Sequence, residues 1–287
     1  RDEHFDALVI ATGAQPIQLP LPGFDLPGVF SLRKLSHGRL IKRHIATHAP
    51  SKAIVLGAGY VAMEMSHVLT ELGIKVQILK KRPRVLRGWS EETVSLVTSE
   101  LNRHGVEIHT GMDVTGAEAG PDGNVAAMTT SQGPFPADLV LQAVGVRPNV
   151  HLAEKAGLRI GESGAIWVAR TQQTSAEKVW AAGDCAESFH RILRRNVWTP
   201  LGTTANKHGR IAGANTVGAG QEFAGVVGTT GFKVFDLEVA RSGLEKEQAE
   251  AEGFNPVQVT IKQNSRAHGY PGGSPIHVTL VADGPTG

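Results

Sequence analysis

A single cysteine, Cys185, stands in a chain of 287 residues. This excludes any disulfide within the chain and fits a reducing cytoplasm. Charge of one sign is lacking too: 29 Lys and Arg against 27 Asp and Glu leave a net +2, which argues for no special partner. Basic residues are scattered except after position 80, so nucleic acid is not indicated. No uninterrupted apolar run approaches membrane-spanning length, and no signal peptide is visible, in a chain that opens at Arg1 rather than Met. The expectation is a cytoplasmic protein with neither a membrane nor a nucleic-acid partner. A serine nucleophile elbow and a Walker loop are missing as well. His44 and His48 lie four apart on a possible helix, but no third ligand falls near them, so a solvated helix face is expected there rather than a metal site.

What is present is more specific. Residues 53–80 read Ala-Ile-Val-Leu-Gly57-Ala-Gly59-Tyr60-Val61-Ala62, a helical run to Gly73, then Ile-Lys-Val-Gln-Ile-Leu-Lys80. Strand, turn, helix and second strand follow in the order of a dinucleotide-binding βαβ unit. Gly57 lets the chain turn off the strand, Gly59 lets backbone N–H groups approach a pyrophosphate, and small Ala62 lets the helix sit close to the sheet. Val61, Met65, Val68, Leu69 and Leu72 recur at helical spacing and predict the buried face, with Gly73 as the stop.

A binder of NAD ends its second strand with Asp or Glu, which holds the ribose 2′-hydroxyl. This chain has Lys80 there, followed by Lys81, Arg82, Arg84 and Arg87. Such a cluster attracts a 2′-phosphate and predicts NADP(H) in preference to NAD(H); a solvated basic loop is the plainer alternative.

Composition allows two or three domains, with 41% hydrophobic residues and 34 glycines. A buried strand at Ala7–Ile10 ends in Ala-Thr12-Gly13, and a linker rich in Pro and Leu leads to the nucleotide unit near Ser51. Ser90 is placed to cap a helix carrying Val94, Val97 and Leu101. Gly-Pro-Asp-Gly at 120–123 opens a β-excursion that ends in Gly145-Val-Arg-Pro-Asn149. Strands alternating with helices predict an α/β fold with a parallel, doubly wound sheet. Beyond it, Val179-Trp-Ala-Ala-Gly183-Asp184-Cys185 places a carboxylate at a strand end. Asp184 there either accepts a hydroxyl from a sugar-like chain or caps the following turn.

Ala11-Thr12-Gly13, Gly57-x-Gly59, Gly145-Val-Arg-Pro-Asn149 and Gly183-Asp184, in that order, closely resemble the pyridine nucleotide-disulfide oxidoreductases. Residues 198–210 and 231–243 resemble the branch of coenzyme A disulfide reductases, NADH oxidases and NADH peroxidases. The resemblance implies two Rossmann-like domains and a dimerisation domain: residues 1–50 as the end of a first FAD segment and linker, 51–149 for NAD(P), 150–221 as a second FAD segment, and 222–287 as part of the dimerisation domain. It implies FAD alongside NAD(P)H, a homodimer, and hydride passing through flavin to a disulfide, a peroxide or oxygen. Reduction of an iron-sulfur protein is the alternative, as is a nucleotide-binding module without turnover. By resemblance, Asp184 would hold the ribityl chain, Thr12 and Gly13 would run beside the flavin nucleotide, and Gly202, Thr203 and Thr204, opening a helix, would face the flavin pyrimidine edge. Gly145 and Gly183 belong to the same frame. Tyr60 resembles the aromatic that covers the flavin until nicotinamide enters, with Val61 beside it, and Glu64 the acid near the hydride path. Lys81 and Arg87 align with holders of the 2′-phosphate in NADPH-using relatives.

There are departures from the family pattern. The family's first Gly-x-Gly-x-x-Gly cradle and its redox cysteine are not found ahead of Ala11, and Cys185 reads as a small buried residue rather than a redox thiol. The chain is therefore expected to be an internal fragment, with no catalytic residue of its own beyond Glu64 and Tyr60.

Overall fold

A computed structural model describes residues 3–286. The first strand, β1 (Leu8–Ile10), leads through β2 (Ala14–Pro16) to β3 (Val29–Ser31) and α1 (Leu35–His48). Then come β4 (Lys52–Leu56), α2 (Tyr60–Glu71), β5 (Lys75–Lys80), α3 (Glu91–Arg103) and β6 (Glu107–Thr110). An antiparallel excursion, β7 (Val114–Ala119), β8 (Val125–Thr130) and β9 (Gly133–Pro136), returns to β10 (Leu139–Gln142). The order β3-β10-β4-β5-β6 makes one parallel five-stranded sheet.

Strand β4 shows why the sheet is sandwiched. Ala53 and Val55 point into a core with Ile41 of α1, Met63 and Leu69 of α2, and Val97 and Leu101 of α3. Ile54 and Leu56 point the other way, onto Val125 and Met128 of the antiparallel excursion. A strand apolar on both sides needs both covers, and each fully buried Leu, Ile or Met is worth about 1.5–3 kcal/mol.

Strand β3 pairs with β10 as an edge strand of the five-stranded sheet, and α1 carries Ile41 into the core shared with β4 and α2. The structure departs from the sequence reading at two points. On α2 the buried residues are Ala62, Met63, Ser66 and Leu69, whereas Val61, Val68 and Leu72 are 41, 44 and 58% exposed. A helix packed close to a sheet meets it through its small side chains, so Ala62 and Ser66 take the contact that a hydrophobicity pattern assigns to Val and Leu. His44 is buried rather than solvated: its Nε2 lies 3.1 Å from the Asp138 carbonyl, and its ring stacks on His48, 4.3 Å between centroids. Burial holds its pKa below the usual range.

After β11 (Val146–Pro148) and α4 (His151–Lys155) the chain forms β12 (Val179–Ala181), parallel to β1. Then follow β13 (Ser188–His190), β14 (Arg195–Val197) and α5 (Gly202–Asn215). Cys185 is fully buried in the small core beneath β1 and β12. The last part comprises the hairpin β15 (Thr230–Val234) and β16 (Leu237–Arg241), then α6 (Lys246–Ala251), and a ribbon of β17 (Pro256–Asn264) and β18 (Pro275–Asp283). The hairpin sends Phe232, Val234 and Phe235 into the core over α2 and α3. One face of the ribbon leaves Val257, Val259, Ile261, Val278 and Leu280 exposed. No described helix is long and apolar enough to cross a membrane.

Candidate nucleotide and flavin sites

At the C-terminal end of β4 the chain leaves the sheet at Gly57, with φ +101°. A Cβ there would lie 2.4 Å from the Ala143 carbonyl oxygen, so only glycine fits. Gly59 is different: its φ of −95° is open to any residue, and a Cβ would meet nothing within 4 Å. No backbone strain and no protein contact require a glycine at position 59. The helix that follows, α2, has no side-chain cap and no acid in its first turn. Helix α3 makes the contrast. Its Ser90 accepts a hydrogen bond from the Thr93 N–H, and Glu91 and Glu92 complement its dipole. The free N–H groups at the start of α2 form a positive end facing an open space, which suits a pyrophosphate.

The basic loop after β5 is tied to this turn. The Leu86 N–H donates to the Ala58 carbonyl at 3.0 Å, and buried Leu86 takes a left-handed φ of 47° to do so. Of the cations, Lys81 is paired with Asp113 at 3.0 Å, and Arg84 donates to Glu247 and to the Trp89 carbonyl. Lys80, Arg82 and Arg87 have no acidic partner among the described residues. They converge: burial first, and then the charges of Arg82 and Arg87, push the Lys80 ammonium pKa below its ordinary value. Three cations brought together without a carboxylate are an anion site in waiting. Of the expected cluster Lys80, Lys81, Arg82, Arg84 and Arg87, Lys81 and Arg84 carry acidic partners and the other three do not among the described residues.

The second site is assembled across the chain. Parallel β1 and β12 end side by side, bringing Thr12-Gly13 next to Gly183-Asp184. Asn149 secures the first segment: the Thr12 hydroxyl donates to its carbonyl at 2.6 Å, its Nδ2 donates to the Thr12 carbonyl at 2.8 Å, and its N–H to the Gly13 carbonyl at 2.9 Å. Gly13, Gly145 and Gly183 all have positive φ. The Asp184 carboxylate pairs with Arg33, whose Nε also faces the Ala14 carbonyl at 3.4 Å, and the Asp184 carbonyl accepts from Trp198 Nε1 at 2.8 Å. Sequence reasoning passed over Arg33, which reaches Asp184 from a position 151 residues away.

Helix α5 begins beside Gly183, whose Cβ would sit 3.5 Å from Ala205. Like α2 it lacks a side-chain cap and an acid in its first turn, so Gly202, Thr203 and Thr204 present free N–H groups. Two helix ends without side-chain caps and a carboxylate at a strand end are groups of the kind that suit two dinucleotides. Tyr60 is half-buried beside the Gly59 turn and is held by Trp89 and Phe232, whereas Glu64 is exposed on α2. Among the described residues, one group has metal-like spacing, Glu100, His104 and Asp236. It is already occupied by Arg103, whose Nη2 lies 2.8 Å from Glu100 and 2.9 Å from Asp236.

Comparison with known proteins agrees with this arrangement. The profile of the pyridine nucleotide-disulphide oxidoreductases matches residues 1–209. The chain belongs to that family. The NAD(P)H sulfur oxidoreductase (CoA-dependent) of Pyrococcus furiosus is 38% identical over 286 residues, covering 98% of this chain and 63% of the relative. An NADH oxidase of Methanocaldococcus jannaschii is 34% identical, covering 97% and 62%. In structure the chain is similar to an NAD-dependent persulfide reductase from A. fulgidus, with a TM-score of 0.92 and 35% identity, covering 98% of this chain and 52% of that one. The chain thus spans less than two thirds of the length of these relatives. This likeness accounts for the two Rossmann-like units and for the hairpin and ribbon that follow them.

Proposed function

We propose that the protein to which this chain belongs is an FAD-dependent NAD(P)H oxidoreductase that passes electrons to a small acceptor with a sulfur–sulfur bond. Two uncapped helix N-termini, α2 and α5, flank the strand ends that carry Gly57–Gly59 and Gly183-Asp184, and this pairing is the observation that carries the reading. The site fits FAD on the Asp184 side: a carboxylate for ribityl hydroxyls, Arg33 beside it, and the helix dipole of α5 for negative charge on the isoalloxazine pyrimidine. When bound, FAD and the nicotinamide supply the hydride chemistry.

The protein's residues bind and orient. Gly57 and Gly59 admit the pyrophosphate, and Lys80, Arg82 and Arg87 select a 2′-phosphate, so NADP(H) is preferred over NAD(H). Tyr60 and Val61 stand where the nicotinamide half would lie, with Glu64 one turn on. The names of the P. furiosus and A. fulgidus relatives favour a coenzyme A persulfide or disulfide over a peroxide or oxygen as acceptor. The exposed apolar face of the ribbon supports a dimerisation role for residues 222–287 and a homodimer, and the single cysteine supports a cytoplasmic setting. The test is NADPH consumption by the longer protein with coenzyme A disulfide, coenzyme A persulfide, peroxide and oxygen offered in turn. Turnover on a sulfur acceptor that disappears with Asp184→Ala is expected. Equal turnover by protein stripped of FAD and by the same protein with FAD restored would contradict the assignment.

A further inference from the structure

Tyr60 does not simply lie on its own helix. Its ring packs against Phe232, 5.4 Å between centroids and tilted by 35°, and meets Trp89 edge-on at 6.3 Å. Trp89 Nε1 donates to the Tyr60 hydroxyl at 3.3 Å, and Trp89 and Phe232 meet each other edge-on at 5.6 Å. The three rings form a closed triangle. Its corners come from three places: the start of α2, the end of the basic loop, and the β15–β16 hairpin. Trp89 is 2% and Phe232 7% exposed, so two corners are fixed in the core, while Tyr60 retains an open side. The Arg241 guanidinium lies over Trp89 at 4.9 Å and donates to the Gly88 carbonyl, which anchors that corner to the hairpin as well.

We infer that Phe232 is a positioning residue for Tyr60: the hairpin ring sets the angle at which Tyr60 meets the incoming nicotinamide. The inference rests on the reading of Tyr60 as a neighbour of the nicotinamide. The physical reason is the shape of the contact. An aromatic pair has preferred tilts, worth about 0.5–1.5 kcal/mol beyond its buried area, and an aliphatic side chain of similar size supplies the area without the orientation. Trp89 constrains the hydroxyl end of Tyr60 and Phe232 constrains the ring. Without Phe232 the ring would pivot about the Trp89 hydrogen bond.

The chain has two tyrosines, Tyr60 and Tyr270, and Tyr270 is 72% exposed. Labelling with 3-fluorotyrosine therefore gives two fluorine signals, with Tyr270 as an internal reference. In the wild-type chain the Tyr60 signal should stand apart from that of Tyr270, because two rings face it, and NADPH should move it. In Phe232→Leu the Tyr60 signal should shift toward that of Tyr270 and its response to NADPH should shrink by at least half, while the NADPH dissociation constant from fluorescence titration changes less than threefold. Phe232→Tyr, which adds a third fluorine signal of its own, should leave the Tyr60 signal and its response to NADPH as in the wild type. An unshifted Tyr60 signal in Phe232→Leu, or an undiminished NADPH response, overturns the inference and leaves the nucleotide site standing. A wild-type Tyr60 signal indifferent to NADPH that demonstrably binds overturns both the inference and the placement of Tyr60. Should Phe232→Leu fail to fold, Trp89→Phe keeps a ring and deletes the N–H donor. It should move the Tyr60 signal, and its failure to do so counts against the triangle equally.

Discussion

The two proposed dinucleotide sites are built by opposite strategies. The nucleotide turn is local: Gly57, Gly59 and the cations from Lys80 to Arg87 lie within about thirty residues of contiguous βαβ structure, on a five-stranded sheet covered on both faces. The flavin-side site draws Thr12, Arg33, Asn149, Asp184 and Gly202 from segments far apart, around a two-stranded parallel pair. A local site is held by backbone geometry, so its failures should be steric. A dispersed site is held by polar contacts between segments, so its failures should be electrostatic and should spare the fold.

The largest effect is expected from Gly57→Val. The side chain meets the Ala143 carbonyl and cannot adopt φ +101° without strain. A loss of about 3 kcal/mol or more in unfolding free energy should follow, seen by urea titration. Gly59→Ala is the partner experiment, because its Cβ meets no protein atom. Stability should hold within about 0.5 kcal/mol while NADPH affinity falls about tenfold or more. Equal destabilisation by the two would erase the distinction between a turn glycine and a ligand glycine.

On the other side, buried His208 of α5 sets a pH limit. Burial pushes its pKa down to about 4 from 6.5. Its Nε2 lies 3.3 Å from the Ser188 hydroxyl, and Nδ1 has no hydrogen-bond partner among the described residues. A histidine held neutral in the folded state binds its proton more readily when unfolded, so stability is complete above about pH 6.5 and declines as the pH falls toward 4. The decline attributable to this residue is on the order of 3 kcal/mol, and His208→Gln should flatten that part of a Tm against pH curve. His44 adds a smaller slope in the same direction, also through burial. Asp184→Asn, in contrast, should leave the melting temperature nearly unchanged, because its partner Arg33 is partly exposed. In the longer protein it should weaken FAD binding about tenfold, as flavin fluorescence would show.

The same contrast explains what could be read from the sequence. The Gly57-x-Gly59 turn, the Ser90 cap and the basic cluster depend on neighbours a few residues apart, and the residues alone showed them. The pairing of Arg33 with Asp184, the strap from Leu86 to Ala58 and the ring triangle around Tyr60 depend on how separate elements meet, and no spacing rule encodes that. The misread face of α2 has its own cause. Of the expected Val61, Met65, Val68, Leu69 and Leu72, Leu69 is buried and Met65 packs against the core, whereas Val61, Val68 and Leu72 give way to Ala62, Met63 and Ser66, a choice that only contact with β4 and β5 decides. His44 was misjudged because nothing in its local sequence shows that α1 closes the core beside Phe30.

Lys80, Arg82 and Arg87 are proposed to make the local site a receptor for a 2′-phosphate. The ratio of NADPH to NADH affinity decides this, measured by calorimetric titration of the wild-type chain and of Lys80→Glu at one ionic strength. Tighter NADPH binding is expected in the wild type, with a ratio that falls about tenfold or more in the variant, a change of about 1.4 kcal/mol. An unchanged ratio would contradict it.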